Sequence, residues 1–406
     1  MPPVHRRLHI NLDTTNGGLD VLGYDTLAGE VDRTFADFFA GIGLVRLGLE
    51  AQGWHSLWAN DIDPGKFAMY AAHFGPDHYR LDDIRNVQPG EVPDVDLAHA
   101  SFPCVDLSLA GERAGLKGRE SGLIWEFIRI LRGMAQQGRA PKLVTLENVA
   151  GWITSRGGSD FRAVLEALNS LGYVCDAVVL DAAWFVPQSR PRVFVVAHLG
   201  DHPLMSQRPL DVEPSRVRPP KLVEFIRAHS DLAWGLIAYP EPPQLGLRLE
   251  DILEDLPEDH DAWWPEERVA YLLGQMKPQH LGLVEAAAKS DDLLAMTVYR
   301  RMRNGRSMAE VRADGIAGCL RTPRGGSSRQ ILVIAGRGRI RVRLMTAREY
   351  ARLQGVPDTY PIDVPYNQAL WGFGDAVCVP VVEWLAEHAL NPLVASQYAS
   401  SVAASC

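Results

Sequence analysis

The sequence lacks paired cysteines, long apolar runs and a leader-like N-terminus. Its five cysteines, at positions 104, 175, 319, 378 and 406, stand singly, and no two form a C-x-x-C pair. This spacing supports neither a zinc site nor a disulfide framework, so we expect a reducing compartment and no bound metal. No apolar run approaches the ~20 residues of a membrane span, and no apolar stretch follows Arg6 and Arg7 as in a signal peptide. These absences predict a cytoplasmic protein without a membrane partner.

The composition is that of a soluble globular chain with unevenly distributed charge. The 406 residues are 47% hydrophobic and 22% charged, which suffices for one large domain and a smaller one. The net charge is −9, yet segment 300–343 contains twelve arginines, no lysine and two acidic residues, so it carries +10 and the rest −19. Such a run is usually a solvated face. Arginine interleaved with Gly, Ser and Thr favours contact with phosphates and base edges.

Predicted strands alternate with segments of helical periodicity through the first half of the chain. Strands are predicted at 34–39, 56–60, 95–100, 141–146, 173–181 and 192–198, and helices at 44–52, 66–74, 123–134 and 160–171. This order predicts an α/β fold with a doubly wound, mostly parallel sheet. From about 201 the pattern breaks: 207–220 is typical of a linker, 250–267 is acidic, and helices return at 345–353 and 376–389.

A glycine-containing turn follows the first predicted strand. Gly41 and Gly43 stand where the strand gives way to a helix, and glycine there lets a ligand approach the backbone closely. Asp61, at the end of the next strand, is placed to hold ribose hydroxyls, as in dinucleotide folds. The third glycine of a dinucleotide fingerprint is absent, since Leu44 follows Gly43. The pattern favours a nucleoside cofactor without a pyrophosphate, although an ordinary α/β turn would look the same.

Cys104 and Glu147 each follow a predicted strand. The carboxyl ends of parallel strands meet at one edge of a sheet, so both side chains are expected to face one crevice. Pro103 stiffens the turn before the cysteine. A thiolate needs nearby positive charge, which Arg190 and Arg192 supply at the head of another strand. Taken singly, a small buried cysteine, a capping glutamate and a surface arginine pair remain alternatives.

Taken together, six motifs resemble the DNA (cytosine-5) methyltransferases of prokaryotic type. In chain order they are 37–43 (DFFAGIG), 102–104 (FPC), 147–149 (ENV), 188–192 (QSRPR), 348–357 (REYARLQGVP) and 374–377 (GDAV). The resemblance covers about 34–200 and 344–390, and the segment between fits the family's variable target-recognition region. It implies a Rossmann-like, class I S-adenosylmethionine-dependent methyltransferase fold with a second, smaller target-recognition domain.

The resemblance also implies a domain organisation. It predicts an N-terminal extension (1–33), a catalytic and cofactor-binding domain (34–205), a target-recognition domain (206–343), its base and hinge (344–373), a C-terminal helix returning to the catalytic domain (374–393) and a tail (394–406).

By this resemblance the protein would transfer a methyl group from S-adenosylmethionine to C5 of a cytosine flipped out of a specific duplex DNA sequence. Cys104 would attack C6, Glu147 would contact N3 and the exocyclic amine, and Arg190 and Arg192 would orient the base and favour the thiolate. The cofactor would be held by Phe39, Ala40, Gly41, Ile42, Gly43, Asp61, Ile62, Asp83, Ile84, Pro103, Leu123, Asp375 and Val377. DNA contacts would come from Gln188, Arg321, Arg324, Gly325, Gly326, Ser327 and Arg329, although the Gly-rich part of this set also fits a hairpin connector.

The sequence departs from the family pattern at three positions. Ile62 stands where an aromatic residue often stacks on adenine, Leu44 replaces a common glycine, and Asp375 replaces the usual asparagine. Asp375 adds a carboxylate beside a cationic sulfonium cofactor.

Other functions stay open. A tRNA cytosine-5 methyltransferase usually carries a Cys-Phe-Thr element, which is absent here, and Cys104 and Glu147 both argue against a catalytically silent DNA-binding regulator. A nicotinamide-dependent Rossmann enzyme would explain the glycines and Asp61, but it would not explain the cysteine, the glutamate and the arginines. We expect a cytoplasmic monomer that acts on double-stranded DNA, in a restriction-modification or other defence system with cognate restriction or defence proteins.

Overall fold

The structure of the protein is a computed structural model that describes residues 33–103, 121–303, 305–323 and 329–395. Several predicted features lie outside these described residues: the extension up to residue 32, the nucleophile Cys104, the loop residues Arg324, Gly325, Gly326 and Ser327, and the tail from residue 396.

A seven-stranded sheet forms the centre of the larger domain. Its strands are β1 (Arg33–Phe38), β2 (Trp54–Asp61), β3 (Tyr79–Leu81), β4 (Leu97–Ser101), β5 (Leu143–Val149), β6 (Tyr173–Asp181) and β7 (Pro191–Leu199), in the order β3-β2-β1-β4-β5-β7-β6. Only β7 runs against its neighbours, which confirms the predicted doubly wound, mostly parallel sheet. The reversal brings the beginning of β7 to the edge where the other strands end.

Helices cover both faces of this sheet: α1 (Leu44–Ala51), α2 (Pro64–Phe74), α3 (Ile124–Gln136) and α4 (Ser159–Ser170). The start of α2 follows from local chemistry, because Pro64 takes the first position and the Asp63 carboxylate accepts from the amides of Gly65 and Lys66. Along α3, Phe127, Leu131 and Met134 are fully buried, each at a spacing that keeps one face towards the sheet. Burial of each such side chain contributes roughly 1.5–3 kcal/mol.

Residues up to about 237 belong with this larger domain. The helix α5 (Pro220–Ala228) buries Leu222 and Ile226 in the same apolar cluster as the central strands. Within the segment predicted as a linker, Arg218 donates two 2.8 Å hydrogen bonds to the buried carboxylate of Asp176 on β6. The sequence analysis predicted that the target-recognition domain (206–343) begins before this segment, because a Pro- and Arg-rich composition does not reveal a buried ion pair of this kind.

A second, smaller sheet confirms the expected second unit of the fold. It is antiparallel, in the order β11-β10-β8-β9, with β8 (Leu294–Arg303), β9 (Arg306–Arg312), β10 (Ile331–Gly336) and β11 (Arg339–Leu344). The helices α6 (Glu266–Gly274) and α7 (Pro278–Ala288) contribute Leu272 and Val284 to the apolar cluster on its inner face.

Three short helices, α8 (Ala347–Leu353), α9 (Tyr366–Asp375) and α10 (Val379–Leu385), return the chain to the large sheet. The helical run Tyr366–Ala395 has a mean hydropathy of 1.3 and is long enough to span a bilayer, but 72% of its most apolar window is buried. A Cβ on Gly48 of α1 would lie 2.8 Å from Val382 of α10, so these helices pack in close contact. The helical run Tyr366–Ala395 therefore consists of helices that pack in the core of the protein.

Candidate active site

A cavity of about 500 Å³ opens at the edge where the strands of the large sheet end. Twelve of the thirteen predicted cofactor residues line it, together with the predicted catalytic residues Glu147, Arg190 and Arg192. The walls come from the ends of β1, β2, β4 and β5, the beginning of β7, and the end of α9. The strand order therefore gathers residues that are far apart in the sequence.

The turn after β1 is fixed by Asp61. Gly41 has a φ of 57°, a left-handed conformation that favours glycine. Its amide donates to one Asp61 oxygen at 3.0 Å, while the amide of Asp63 donates to the other at 2.9 Å. The Asp61 carboxylate thus positions the turn and keeps lone pairs for a ligand in the cavity.

Gly43 is the predicted cofactor residue that does not line the cavity. With a φ of 81° it precedes α1, and a Cβ there would lie 2.6 Å from the ring of Phe74 and 2.8 Å from that of Tyr70. The glycine is required by the packing of α1 against α2.

Beneath the turn, Asp37 on β1 is a buried carboxyl whose two oxygens have no hydrogen-bond partner among the described residues. Burial raises its pKa well above the usual range, the nearby Asp61 raises it further, and Arg46 lowers it only in part. Burial without a hydrogen-bond donor thus favours the neutral form of the Asp37 carboxyl.

The opposite half of the cavity contains Glu147 and Arg192. The Arg192 Nε lies 3.0 Å from a Glu147 oxygen, and the Glu147 side chain is only 8% exposed. Asn148, the next residue on β5, donates to the backbone oxygen of Phe102 at 3.0 Å. This bond fixes the Phe102–Pro103 turn that leads to Cys104, a role the sequence analysis did not assign to Asn148.

Arg190 and Gln188 hold three parts of the chain together. The Arg190 guanidinium donates to the backbone oxygens of Leu320 at 3.1 Å and Ala376 at 2.8 Å. Gln188 is fully buried, donates to Leu353 and accepts from the amide of Leu320. The predicted DNA contact by Gln188 does not fit this placement, because its amide is already used within the protein.

The carboxylate of Asp375 is paired with Lys66. Their side chains lie 2.8 Å apart, and the stem of Lys66 passes near Gly41. Burial alone would lower the pKa of Lys66, but the charges of Asp375 and Asp61 outweigh it and raise the pKa above its usual value. Asp375, which replaces the family's usual asparagine, is thus paired with Lys66, a residue that the sequence analysis did not single out.

The other two departures have ordinary structural consequences. Ile62 is 63% exposed at the cavity rim, where it offers an apolar surface to an aromatic ring. Leu44 is buried and lines the cavity at the beginning of α1.

Cys319 lies behind the site and does not line the cavity. Its Sγ is 3.3 Å from Arg190 and 3.9 Å from Arg192. Burial would raise the pKa of this thiol, but the two arginines outweigh that effect and lower it. The sequence pattern did not indicate this contact between Cys319 and the two arginines.

The arginines of segment 300–343 differ in their partners. Arg343 is buried against Glu349, while Arg339 and Arg341 contact Glu258 in the acidic segment. Arg329 donates to Asn367 of α9 at 2.7 Å, and its guanidinium lies over Tyr366. Arg321 is exposed and makes no ion pair with the described residues. Of the predicted DNA contacts, Arg321 alone among the described residues presents an uncommitted charge.

The side chains that line the cofactor half fit a cationic nucleoside. Five aspartates face the cavity, at positions 61, 63, 82, 83 and 375, against two cations, Lys66 and Arg85. This excess of carboxylates suits hydroxyl groups and a positive sulfonium, and it disfavours a pyrophosphate. Phe39, Ile84 and Leu123 supply apolar walls. The residues present thus fit S-adenosylmethionine.

Comparison with known proteins agrees with this geometry. The family model for C-5 cytosine-specific DNA methylase matches residues 33–391. The chain is 29% identical over 348 residues to the type II methyltransferase M.NgoBI of Neisseria gonorrhoeae, covering 86% of this chain and 90% of that protein. It is 28% identical over 358 residues to M.HaeII of Haemophilus aegyptius, covering 88% and 92%.

Solved structures show the same fold. The S. pombe Dnmt2 methyltransferase aligns with a TM-score of 0.57 at 17% identity, covering 89% of this chain and 99% of that one. A prophage-encoded putative DNA modification methyltransferase from E. coli aligns with a TM-score of 0.54 at 16% identity, with the same coverage. The family match extends over nearly all the described residues. The chain therefore belongs to the C-5 cytosine-specific DNA methylase family, and the predicted enzyme class, DNA cytosine-5 methyltransferase, is confirmed.

Proposed function

We propose that the protein methylates C5 of a cytosine flipped out of a specific duplex DNA sequence, with Cys104 as the nucleophile and S-adenosylmethionine as the methyl donor. The observation that carries this proposal is the Glu147–Arg192 pair, which faces the same cavity as the aspartate-lined cofactor half. S-adenosylmethionine supplies an electrophilic methyl group on a cationic sulfur. Asp61 would hold its ribose, Asp83 and Ile84 its adenine, and Phe39 and Gly41 its methionine side.

The residues of the chain act on the base. Carbon 5 of cytosine is a poor nucleophile, and a bond between the Cys104 thiolate and C6 moves an electron pair to C5. Glu147, held by Arg192, would contact N3 and the exocyclic amine and stabilise the charge that develops there. After C5 is methylated, its proton leaves, the sulfur–C6 bond breaks and the thiolate is regenerated. Arg192 faces the cavity and supplies positive charge of the kind that favours a thiolate.

A restriction-modification role is the second part of the proposal. The similar proteins M.NgoBI and M.HaeII are named type II methyltransferases, and the chain covers about nine tenths of each. We propose the same cellular setting, the cytoplasm, for this protein, with duplex DNA as its substrate.

A methyl-transfer assay with three nucleic acids tests the reaction. Purified protein receives labelled S-adenosylmethionine with duplex DNA, single-stranded DNA or tRNA, and bisulfite sequencing maps the product. We expect label at C5 of cytosine within one short duplex motif. Label in tRNA alone would overturn the assignment in favour of the RNA enzyme, and DNA binding without label would favour a silent regulator.

Two cysteine variants locate the nucleophile in the same assay. C104A should abolish methyl transfer while DNA and cofactor binding persist. C406S, which removes a cysteine outside the six motifs, is the matched control and should retain activity. Turnover of C104A near the parent rate would exclude Cys104.

A further inference from the structure

A column of three polar side chains runs from the interior of the large sheet to the cavity. His99 on β4 and Thr145 on β5 are partners in register, and Ser101 follows two residues later on the same face. The His99 Nδ1 lies 2.8 Å from Thr145 Oγ1, and its Nε2 lies 2.9 Å from Ser101 Oγ. His99 is 4% exposed and Thr145 1%, whereas Ser101 is partly exposed and lines the cavity. The family motifs assign no role to this column.

The protonation of His99 decides which hydroxyl is left free. Burial lowers the pKa of His99 to about 3, so the ring is neutral and has one donor nitrogen and one acceptor nitrogen. Among the described residues, His99 is the group within hydrogen-bond distance of Thr145 Oγ1. If Nδ1 carried the proton, the hydroxyl proton of Thr145 would be buried without an acceptor, which is unfavourable.

With the His99 proton on Nε2, the donor and acceptor of each hydrogen bond in the column are fixed. Thr145 donates to Nδ1, and the Nε2 proton of His99 donates to Ser101 Oγ. The proton of Ser101 is then not used inside the sheet. A partly exposed hydroxyl in this state donates to whatever acceptor the cavity holds.

Ser101 stands at the junction of the two halves of the cavity. Its partner in register on β5 is Glu147, on the base side. The residue before it, Ala100, pairs with Phe38 on β1, directly before the cofactor turn. A donor at this point lies beside the place where the two reactants meet.

We propose that Ser101, oriented by His99 and Thr145, is a further ligand-contacting residue whose hydroxyl donates a hydrogen bond to the carboxylate of the bound methyl donor. The carboxylate is the acceptor that most needs such a donor, because the surrounding wall is lined by aspartates and Lys66 is engaged with Asp375. By the proposed function, the cytosine would instead be contacted by Glu147 and Arg192, which pair with each other on the base side of the cavity. The inference rests on the proposed cofactor.

The tautomer of His99 gives a test that needs no activity. In protein labelled with 15N-histidine, the ring nitrogens of His99 should show a protonated Nε2 and a bare Nδ1, assigned by comparison with an H99Q sample. A protonated Nδ1 would reverse the donor and acceptor roles in both hydrogen bonds of His99 and overturn the proposal. This result is independent of whether the protein methylates DNA.

Binding of S-adenosylhomocysteine, which keeps the same carboxylate, tests the ligand contact by calorimetry. S101A should weaken binding by about tenfold or more, as expected for a hydrogen bond to a charged group. Decarboxylated S-adenosylmethionine is the matched ligand, and S101A should bind it as tightly as the parent protein. A loss of equal size for both ligands would contradict the carboxylate contact.

Variants of Thr145 separate orientation from simple packing. T145V should weaken S-adenosylhomocysteine binding by a few-fold, and T145S, which restores the hydroxyl, should recover most of that loss. The double variant S101A/T145V should bind no more weakly than S101A alone, since the two residues act through one contact. Additive losses would reduce Thr145 to a packing residue and overturn its part of the proposal. If S-adenosylhomocysteine does not bind the parent protein at all, the proposed function fails instead.

Discussion

The two sheets use their charged residues in different ways. In the large sheet, Glu147 and Arg192 lie where strands end and face a cavity with their charges paired to each other. In the small sheet, Arg301 pairs with the partly buried Glu310 of the neighbouring strand β9, and Arg339 pairs with the exposed Glu258 of the acidic segment. A site at strand ends is therefore fixed by the topology, whereas a surface on a sheet face depends on which charges remain uncommitted.

Two buried carboxyl groups, one associated with each sheet, also differ in whether they have a partner. Asp37 of the large sheet has no hydrogen-bond partner among the described residues. Glu349, on α8 next to the small sheet, pairs with Arg343 and accepts hydrogen bonds from the amides of Glu254 and Thr346. Burial raises the pKa of Asp37 and favours its neutral form, whereas Glu349 joins β11 to α8 as an ion pair with Arg343.

The largest effect is expected from Glu147. The change E147Q removes the carboxyl group that would contact N3 and the exocyclic amine of the base, so methyl transfer should fall by about 10²–10⁴-fold. Cofactor binding should change little, because the cofactor is proposed to bind in the opposite half of the cavity. Single-turnover kinetics with labelled methyl donor measure the fall. An unchanged rate would remove Glu147 from the reaction.

The next effect is on stability. E349A leaves the fully buried Arg343 without its counter-ion, which should lower the free energy of unfolding by about 3–5 kcal/mol. E258A is the matched control, since Glu258 pairs with Arg339 while 77% exposed, and should change stability by about 1 kcal/mol or less. Urea unfolding followed by tryptophan fluorescence compares them. Equal losses in both variants would erase the contrast between buried and exposed pairs.

A smaller, pH-dependent effect is expected at Asp37. Because the folded-state pKa of Asp37 is raised above that of the unfolded chain, its contribution to stability is present in acid and is lost as the pH rises through the folded pKa. D37N, which does not ionise, should thus gain stability relative to the parent protein as the pH rises from about 5 to about 9. Denaturant titrations across this range measure the difference. Parallel pH profiles would show that Asp37 is ionised in the fold.

The smallest effect is expected from single exposed arginines of segment 300–343. R321A removes an exposed charge that makes no ion pair with the described residues, and it should weaken DNA binding and reduce the salt slope by about 1. R339A removes an arginine that is 68% exposed but paired with Glu258, so its slope should change less. Binding titrations at several salt concentrations compare them. A larger change in R339A would place the DNA surface on the face of β11.

Much of the catalytic half was predictable from the sequence. Apolar runs placed the strands and put Asp61 at the end of one of them, and the family motifs include Glu147 and Arg192, which the structure has at the same edge. The reversal of β7 was not predictable, because it depends on the pairing of β7 with β5 and β6. It explains why the arginines at the beginning of that strand reach the cavity.

What sequence patterns could not show were partners brought together by the fold. Lys66 and Asp375 are separated by about three quarters of the chain, and the segment around Arg218 has the composition of a linker. Gln188 sits in a motif, yet its contacts with Leu320 and Leu353 lie inside the protein. Pairing across such distances depends on tertiary packing, which local composition does not encode.

The most direct test of the account is to trap the covalent adduct. Duplex DNA containing 5-fluorocytosine at the target base would be incubated with the protein and S-adenosylmethionine, and the modified peptide identified by mass spectrometry. Fluorine at C5 does not leave as a proton does, so the sulfur–C6 bond should persist. The account predicts an adduct on Cys104. An adduct on Cys319, or none in protein that methylates unmodified duplex DNA, would contradict it.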